Sequence, residues 1–97
     1  MVDASRITKE TGGSGGSFAY SRNGDTARLS WSTTSPTLVI AASTHVPDSM
    51  RGEGVGDALL SALIADARAG HYRIVPLCPF VKARGPLHAD WADVVAR

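Results

Sequence analysis

Residues 37–77 decide the fold. They read Thr37-Leu38-Val39-Ile40-Ala41-Ala42-Ser43, then a loop ending in Arg51-Gly52-Glu53-Gly54-Val55-Gly56, then an amphipathic run from Asp57 to Ala69, then Tyr72-Arg73-Ile74-Val75-Pro76-Leu77. The near-continuous apolar run over 37–43 predicts a strand covered on both faces. Leu60, Leu63, Ile64 and Ala67 recur at helical spacing while Ser61 and Arg68 fall elsewhere on the wheel, and Gly70 supplies a C-terminal stop. Residues 72–77 predict a second buried strand in which Pro76 removes one ladder donor and interrupts pairing on that side. A strand, a helix and a strand in that order make a βαβ crossover, so the two strands are parallel.

Upstream, Ser17-Phe18-Ala19-Tyr20-Ser21 reads as a strand, and Asn23-Gly24 suits a tight hairpin turn because both residues accept positive φ. Residues 26–32 then alternate, with Ala27, Leu29 and Trp31 on one face and Arg28, Ser30 and Ser32 on the other. Thr33 to Pro36 turns the chain into the 37–43 strand. Downstream, Pro79 opens a helix to about Arg84, Gly85-Pro86 breaks it, and His88 to Val95 forms a last short helix with Trp91, Val94 and Val95 on one side. Residues 1–16 read as a flexible arm because of Gly12-Gly13-Ser14-Gly15-Gly16, with a short strand over Arg6-Ile7-Thr8 as the alternative. The domain is then 17–97. Its class is α/β (α+β): an antiparallel three-strand meander, a βαβ unit that makes the sheet mixed, and two short C-terminal helices.

Ninety-seven residues at 43% hydrophobic and 20% charged suffice for one two-layered core and not for two. Ten Lys and Arg against nine Asp and Glu leave a net charge of +1, with the cations scattered, which argues against a nucleic-acid partner. No apolar run approaches the ~20 residues that cross a bilayer, and Met1 to Arg6 has no signal-peptide texture. One Cys and three dispersed His suggest neither a disulfide nor a metal cage. The expectation is a cytoplasmic protein without membrane association or bound metal.

The glycine loop is the first candidate site. Glycines let backbone approach a ligand, and the helix beginning at Asp57 turns its free N–H groups and positive dipole end into the loop, which together suit a phosphate. Arg51 adds a cation. The loop lacks the Gly-Lys-Ser/Thr ending of a Walker A motif, and neither frame of its glycines meets Gly-x-Gly-x-x-Gly. It does fit Arg/Gln-x-x-Gly-x-Gly/Ala through Arg51, Gly54 and Gly56. In this it resembles the acetyl-CoA pyrophosphate loop of the GNAT superfamily of N-acetyltransferases. Asp57 suits a helix start yet repels a diphosphate unless its carboxylate turns outward.

The second candidate is Cys78. It follows the second buried strand at its C-terminal end, the usual ligand side of such sheets, and precedes Pro79 at the N-cap of a helix, where the dipole favours thiolate. Val75-Pro76-Leu77-Cys78-Pro79-Phe80-Val81, then His88, Trp91 and Asp93-Val94-Val95, resembles the minimal, single-domain branch of GNAT-like acetyltransferases. With the loop, the resemblance covers about 37–95.

The resemblance implies a GNAT-like fold that binds acetyl-CoA or coenzyme A and transfers acetyl to an amine, on a small molecule or a protein. The backbone of Thr44, His45 and Val46 would hold the pantetheine arm. Arg51, Gly52, Glu53, Gly54, Val55 and Gly56 would form the diphosphate loop. Cys78 would act at the thioester, as acetyl acceptor or as an aid to direct attack. Two features depart from the branch: Ser43 and His45 stand where it often has His and Glu, and Lys82-Ala83-Arg84-Gly85-Pro86 interrupts a usually continuous helix. His45 is either a replacement base or a solvated loop residue, His88 reads as a helix-start or packing residue rather than a catalyst, and His71 reads as a C-terminal helix cap. The competing functions are a CoA-binding module without catalysis and a protein-interaction domain, including a homodimer through an open sheet edge.

Overall fold

The structure is a computed structural model, and it describes residues 2–96. A short 3₁₀ turn at Ala4–Arg6 leads into strands β1 (Thr8–Gly12), β2 (Gly15–Arg22), β3 (Asp25–Ser35) and β4 (Leu38–His45). A loop containing a second 3₁₀ turn, Asp48–Met50, precedes helix α1 (Val55–Gly70). Strand β5 (Arg73–Pro76), helix α2 (Pro79–Arg84), a 3₁₀ turn and helix α3 (Trp91–Val94) complete the order. The sheet runs β1-β2-β3-β4-β5, antiparallel except for the final β4–β5 pair. The expected meander is present with four strands rather than three, followed by the expected parallel crossover, in a mixed α/β fold.

One face of the sheet makes the core. Cross-strand partners share a face, and Tyr20 opposite Ala27, Phe18 opposite Leu29, Trp31 opposite Ala41 and Val39 opposite Ile74 place all eight together. Against them α1 buries Val55, Leu59, Leu60, Leu63, Ile64 and Ala67, the stripe anticipated from helical spacing plus two residues. Val81, Trp91 and Val94 close the same cluster from the C-terminal helices. Among the described residues no helix covers the other sheet face, although Ser17 and Ala19 on it are buried within the sheet's own side chains. Ile40 is only half-buried and Ala42 is exposed, which corrects the expectation that the 37–43 strand is covered on both sides. The helices lie on one face because only one face of β2 and β3 is apolar.

The flexible arm expected over 1–16 is also corrected. Residues 8–12 form β1, and Gly13-Ser14 is a two-residue turn into β2, with Gly12 opposite Gly15. The same small residues that read as a linker serve a hairpin here. Thr33 N–H donates to Ser14 C=O at 2.9 Å and ties the turn to β3. The ring of Trp31 lies over Gly16: a Cβ there would meet its Cζ2 at 2.6 Å and Glu10 C=O at 2.5 Å. Lys9 Nζ reaches Asp66 on α1 at 2.9 Å, so β1 is held to the helical layer as well.

Helix α1 starts two residues earlier than Asp57 and ends through His71, which takes the left-handed conformation at φ 56. Gly70 stays helical. The last helix is shorter than the expected 88–95, covering Trp91–Val94 alone, because His88, which closes the 3₁₀ turn Gly85–Leu87, and Val95 are both extended.

Gly16→Ala will force the Trp31 ring or the β1 backbone to move, and a urea melt will show destabilisation of about 1–3 kcal/mol, the usual cost of overpacking. Tyr72 sets an alkaline limit. Its hydroxyl donates to Asp66 Oδ2 at 2.6 Å, and burial followed by that carboxylate raises its pKa above the ordinary 10.0. A group whose folded pKa is raised contributes stability that is complete below its unfolded pKa and is lost above it. The urea midpoint will therefore fall from about pH 10 upward, and Tyr72→Phe will flatten that fall.

Candidate functional site

The site grows from a slip in β4. Ser30 pairs with Ser43 but Trp31 pairs with Ala41, so Ala42 is an extra residue, a bulge. Strict alternation from Val39 and Ala41 would turn Ser43 and His45 to the helical side. After the bulge Thr44 takes that side, opposite buried Leu29, while His45 lies opposite Arg28 on the open face and is exposed. On its other side β4 pairs with β5 only as far as Ala41 opposite Pro76. One further bond, Cys78 N–H to Ala41 C=O at 2.9 Å, ties the following segment, and beyond it no strand pairs with that edge of β4 among the described residues.

Cys78 is the N-cap of α2, as the position before Pro79 predicts, and its C=O accepts from Lys82 N–H at 2.9 Å. The thiol is not open to solvent: the residue is 3% exposed. Its Sγ lies 3.4 Å from the Thr44 hydroxyl oxygen, which the bulge has brought over it. Thr44 also lines the cleft described next, so it stands between that cleft and the thiol.

The cleft, of about 530 Å³, runs between the 44–56 segment and α2. Thr44, Val46, Arg51, Gly52, Gly54, Val55 and Gly56 line it, together with Met50, Asp57, Phe80 and Arg84. The first helical bond of α1 is Ala58 N–H to Gly54 C=O at 2.9 Å. The N–H groups of Val55, Gly56 and Asp57 thus have no acceptor within the helix. Gly54 holds φ 81, a left-handed conformation that favours glycine, and beyond its two chain neighbours no atom lies within 4 Å of where its Cβ would be. Gly56 serves packing instead, since a Cβ would meet the Phe80 ring at 2.6 Å. That contact seats α2 on the start of α1. Arg51 is exposed, with Nε 3.3 Å from Val46 C=O and 3.2 Å from Asp48.

Two acids at this junction are held by distant arginines. Glu53 belongs to the loop but does not line the cleft. Arg22, at the end of β2, donates to both its oxygens at 2.6 and 2.7 Å and also to Ser49 C=O at 3.1 Å. This contact holds the Glu53 carboxyl below its usual range. Asp57 faces Arg84 of α2, whose Nε and Nη2 donate to its two oxygens at 3.0 and 2.8 Å, with His88 Nε2 at 3.3 Å. Arg84 first, and His88 after it, lower the Asp57 pKa.

Of the residues singled out by sequence, the fold brings Thr44, Val46, Arg51, Gly52, Gly54, Val55 and Gly56 to one cleft, with Cys78 buried beneath Thr44. His45 and Glu53 have their side chains engaged elsewhere or exposed. Arg22, Met50, Phe80 and Arg84 were missed. The tension at Asp57 signalled the need for a counter-charge, but a partner 27 positions away has no local signature.

These features meet a known family. A model of the GCN5-related N-acetyl-transferase family matches residues 17–94. No curated protein matches the chain at a significant level. The match spans the hairpin, the crossover, the glycine loop and both short C-terminal helices, well over half of the sequence. The chain belongs to the GCN5-related N-acetyltransferase family.

Proposed function

We propose that this chain is an acetyl-CoA-dependent N-acetyltransferase that binds its cofactor in the cleft between the 44–56 segment and α2. Membership of the family supports acetyl transfer in general terms. The observation that carries the specific reading is the continuity of one cleft from the start of α1 to Thr44, whose hydroxyl meets the buried Cys78 thiol. The chemistry of the donors fits coenzyme A. Backbone N–H groups at a helix start, without side chains in the way, suit a diphosphate. The edge of β4 beyond Ala41, free of a strand partner among the described residues, suits the amide groups of a pantetheine arm, which can bond to it as an added strand. Arg51 stands at the phosphate end with donors to spare.

Bound there, the cofactor supplies an acetyl thioester; the protein's part is to hold and orient it. In this reading the backbone of Thr44, His45 and Val46 aligns the arm, and the amides of Gly52 to Gly56 anchor the phosphates. Cys78 acts from beneath Thr44 as an aid to direct attack by an amine. Burial favours this role over that of acetyl acceptor, because an acceptor sulfur must reach the carbonyl carbon and this one is covered. The thiol and the Thr44 hydroxyl form a hydrogen-bonding pair that can pass a proton at the cleft floor. His45, on the opposite sheet face, takes no part as a base.

Calorimetry with acetyl-CoA tests the binding. Saturable one-site binding is expected, and absence of binding to any CoA species would favour an interaction domain instead. For the chemistry, Cys78→Ala will slow acetyl transfer to an amine by about 10²-fold, the scale of a lost proton-transfer group, with acetyl-CoA affinity preserved. Mass spectrometry of the wild type with acetyl-CoA will show no lasting acetyl adduct on Cys78. A Cys78→Ala protein as fast as the wild type removes the cysteine from the mechanism.

A further inference from the structure

An acid in the first turn of α1 is at odds with an anion site. Asp57 lines the same cleft as the glycines, and a carboxylate there takes the favourable end of the helix for itself while repelling a second negative group. Its cost to an incoming diphosphate is greatest if it stands alone. It does not: the Arg84 guanidinium grips both carboxylate oxygens at 3.0 and 2.8 Å in the side-by-side geometry that makes such pairs strong. Arg84 lines the cleft too, and its Nη1 makes no hydrogen bond among the described residues. The paired unit therefore has no net charge at the cleft, where a bare carboxylate would carry one negative charge.

The pair also has a mechanical role. Helix α2 has six residues, with Cys78 as its cap at one end and Arg84 as its last residue. The near end is tied to β4 by Cys78 N–H to Ala41 C=O. The far end is tied to α1 by Arg84 and Asp57, and Phe80 rests on Gly56 between them. His88 adds its Nε2 to the same Asp57 oxygen that Arg84 Nε contacts. One carboxylate thus joins the anion-facing helix start to the segment that carries the thiol.

Resting on the reading of this cleft as the acetyl-CoA site, we infer that Arg84 is a positioning residue that neutralises Asp57 and so makes the start of α1 receptive to the cofactor's diphosphate. Because it acts by cancelling a charge, its loss is repaired by removing the charge it cancels. A direct phosphate ligand or a purely structural strut has no such property.

The test measures acetyl-CoA affinity by calorimetry for wild type, Arg84→Gln, Arg84→Lys, Asp57→Asn and the double variant Asp57→Asn/Arg84→Gln, each checked for folding by its melt. Arg84→Gln is expected to weaken binding about tenfold, a change of about one logarithmic unit in Kd. Arg84→Lys will retain most of the affinity. Asp57→Asn will bind at least as tightly as the wild type, and the double variant will return to within about twofold of it. The inference is overturned if Arg84→Gln binds as the wild type does, or if the double variant stays as weak as Arg84→Gln. It is also overturned if Asp57→Asn weakens binding, a result that stands even where Arg84→Gln fails to fold. A wild type that binds no acetyl-CoA overturns the reading of the cleft itself, and this inference with it. The two failures are thus told apart by the wild type alone.

Discussion

Everything at the site depends on the way β4 parts from its neighbours. One extra residue, Ala42, shifts its register against β3, and a proline ends its ladder with β5 one residue earlier. The first event rotates Thr44 to the side of the core and sends His45 to the other. The second leaves the far edge of β4 without a strand partner among the described residues and lets the chain turn into α2 through Cys78. A regular sheet would have filled that edge and placed a serine over the thiol. The irregularity is costly in hydrogen bonds, and its position next to the glycine loop makes it a feature of the site rather than a flaw in the sheet.

Around that opening, charge is arranged in pairs that reach across the chain. The loop and helix junction carries two acids, and each is engaged by an arginine from another element, Arg22 from β2 and Arg84 from α2. Both pairs are partly exposed, so their worth lies less in stability than in what they do to the local field and to the geometry. Arg22 also bonds Ser49 C=O, which ties the hairpin end to the loop ahead of the glycines. With Met50 fully buried under the loop and Phe80 against Gly56, the free amides of α1 are held on a frame set by β2, the 48–50 turn and α2.

Much of this was legible in the primary structure. The spacing of Leu60, Leu63, Ile64 and Ala67 identified α1, Asn23-Gly24 identified a hairpin, and Pro76 announced the end of a ladder. The motif Arg51 to Gly56 and the Val75 to Val81 block indicated the family. The glycine-rich segment near the amino terminus misled, because Gly-Gly-Ser-Gly-Gly serves a linker and a tight turn equally well, and only pairing with β3 through Thr33 and the cover of Trp31 selects the turn. The apolar run 37–43 misled in a similar way: it reports hydrophobicity, and whether a second layer is there to cover the outer side depends on the rest of the chain.

The sequence by itself determined the elements, their order and the chemistry available, since helix period, turn dipeptides and the glycine loop are local properties of neighbouring residues. The tertiary structure alone decided which side chains meet. A bulge is a statement about two strands, so no reading of β4 in isolation could put Thr44, and not Ser43 or His45, on the thiol. Ion pairs between Asp57 and Arg84, or Glu53 and Arg22, join positions about thirty residues apart. Such contacts exist only once hydrophobic packing of α1 and α2 on one sheet face has brought those positions within hydrogen-bonding reach.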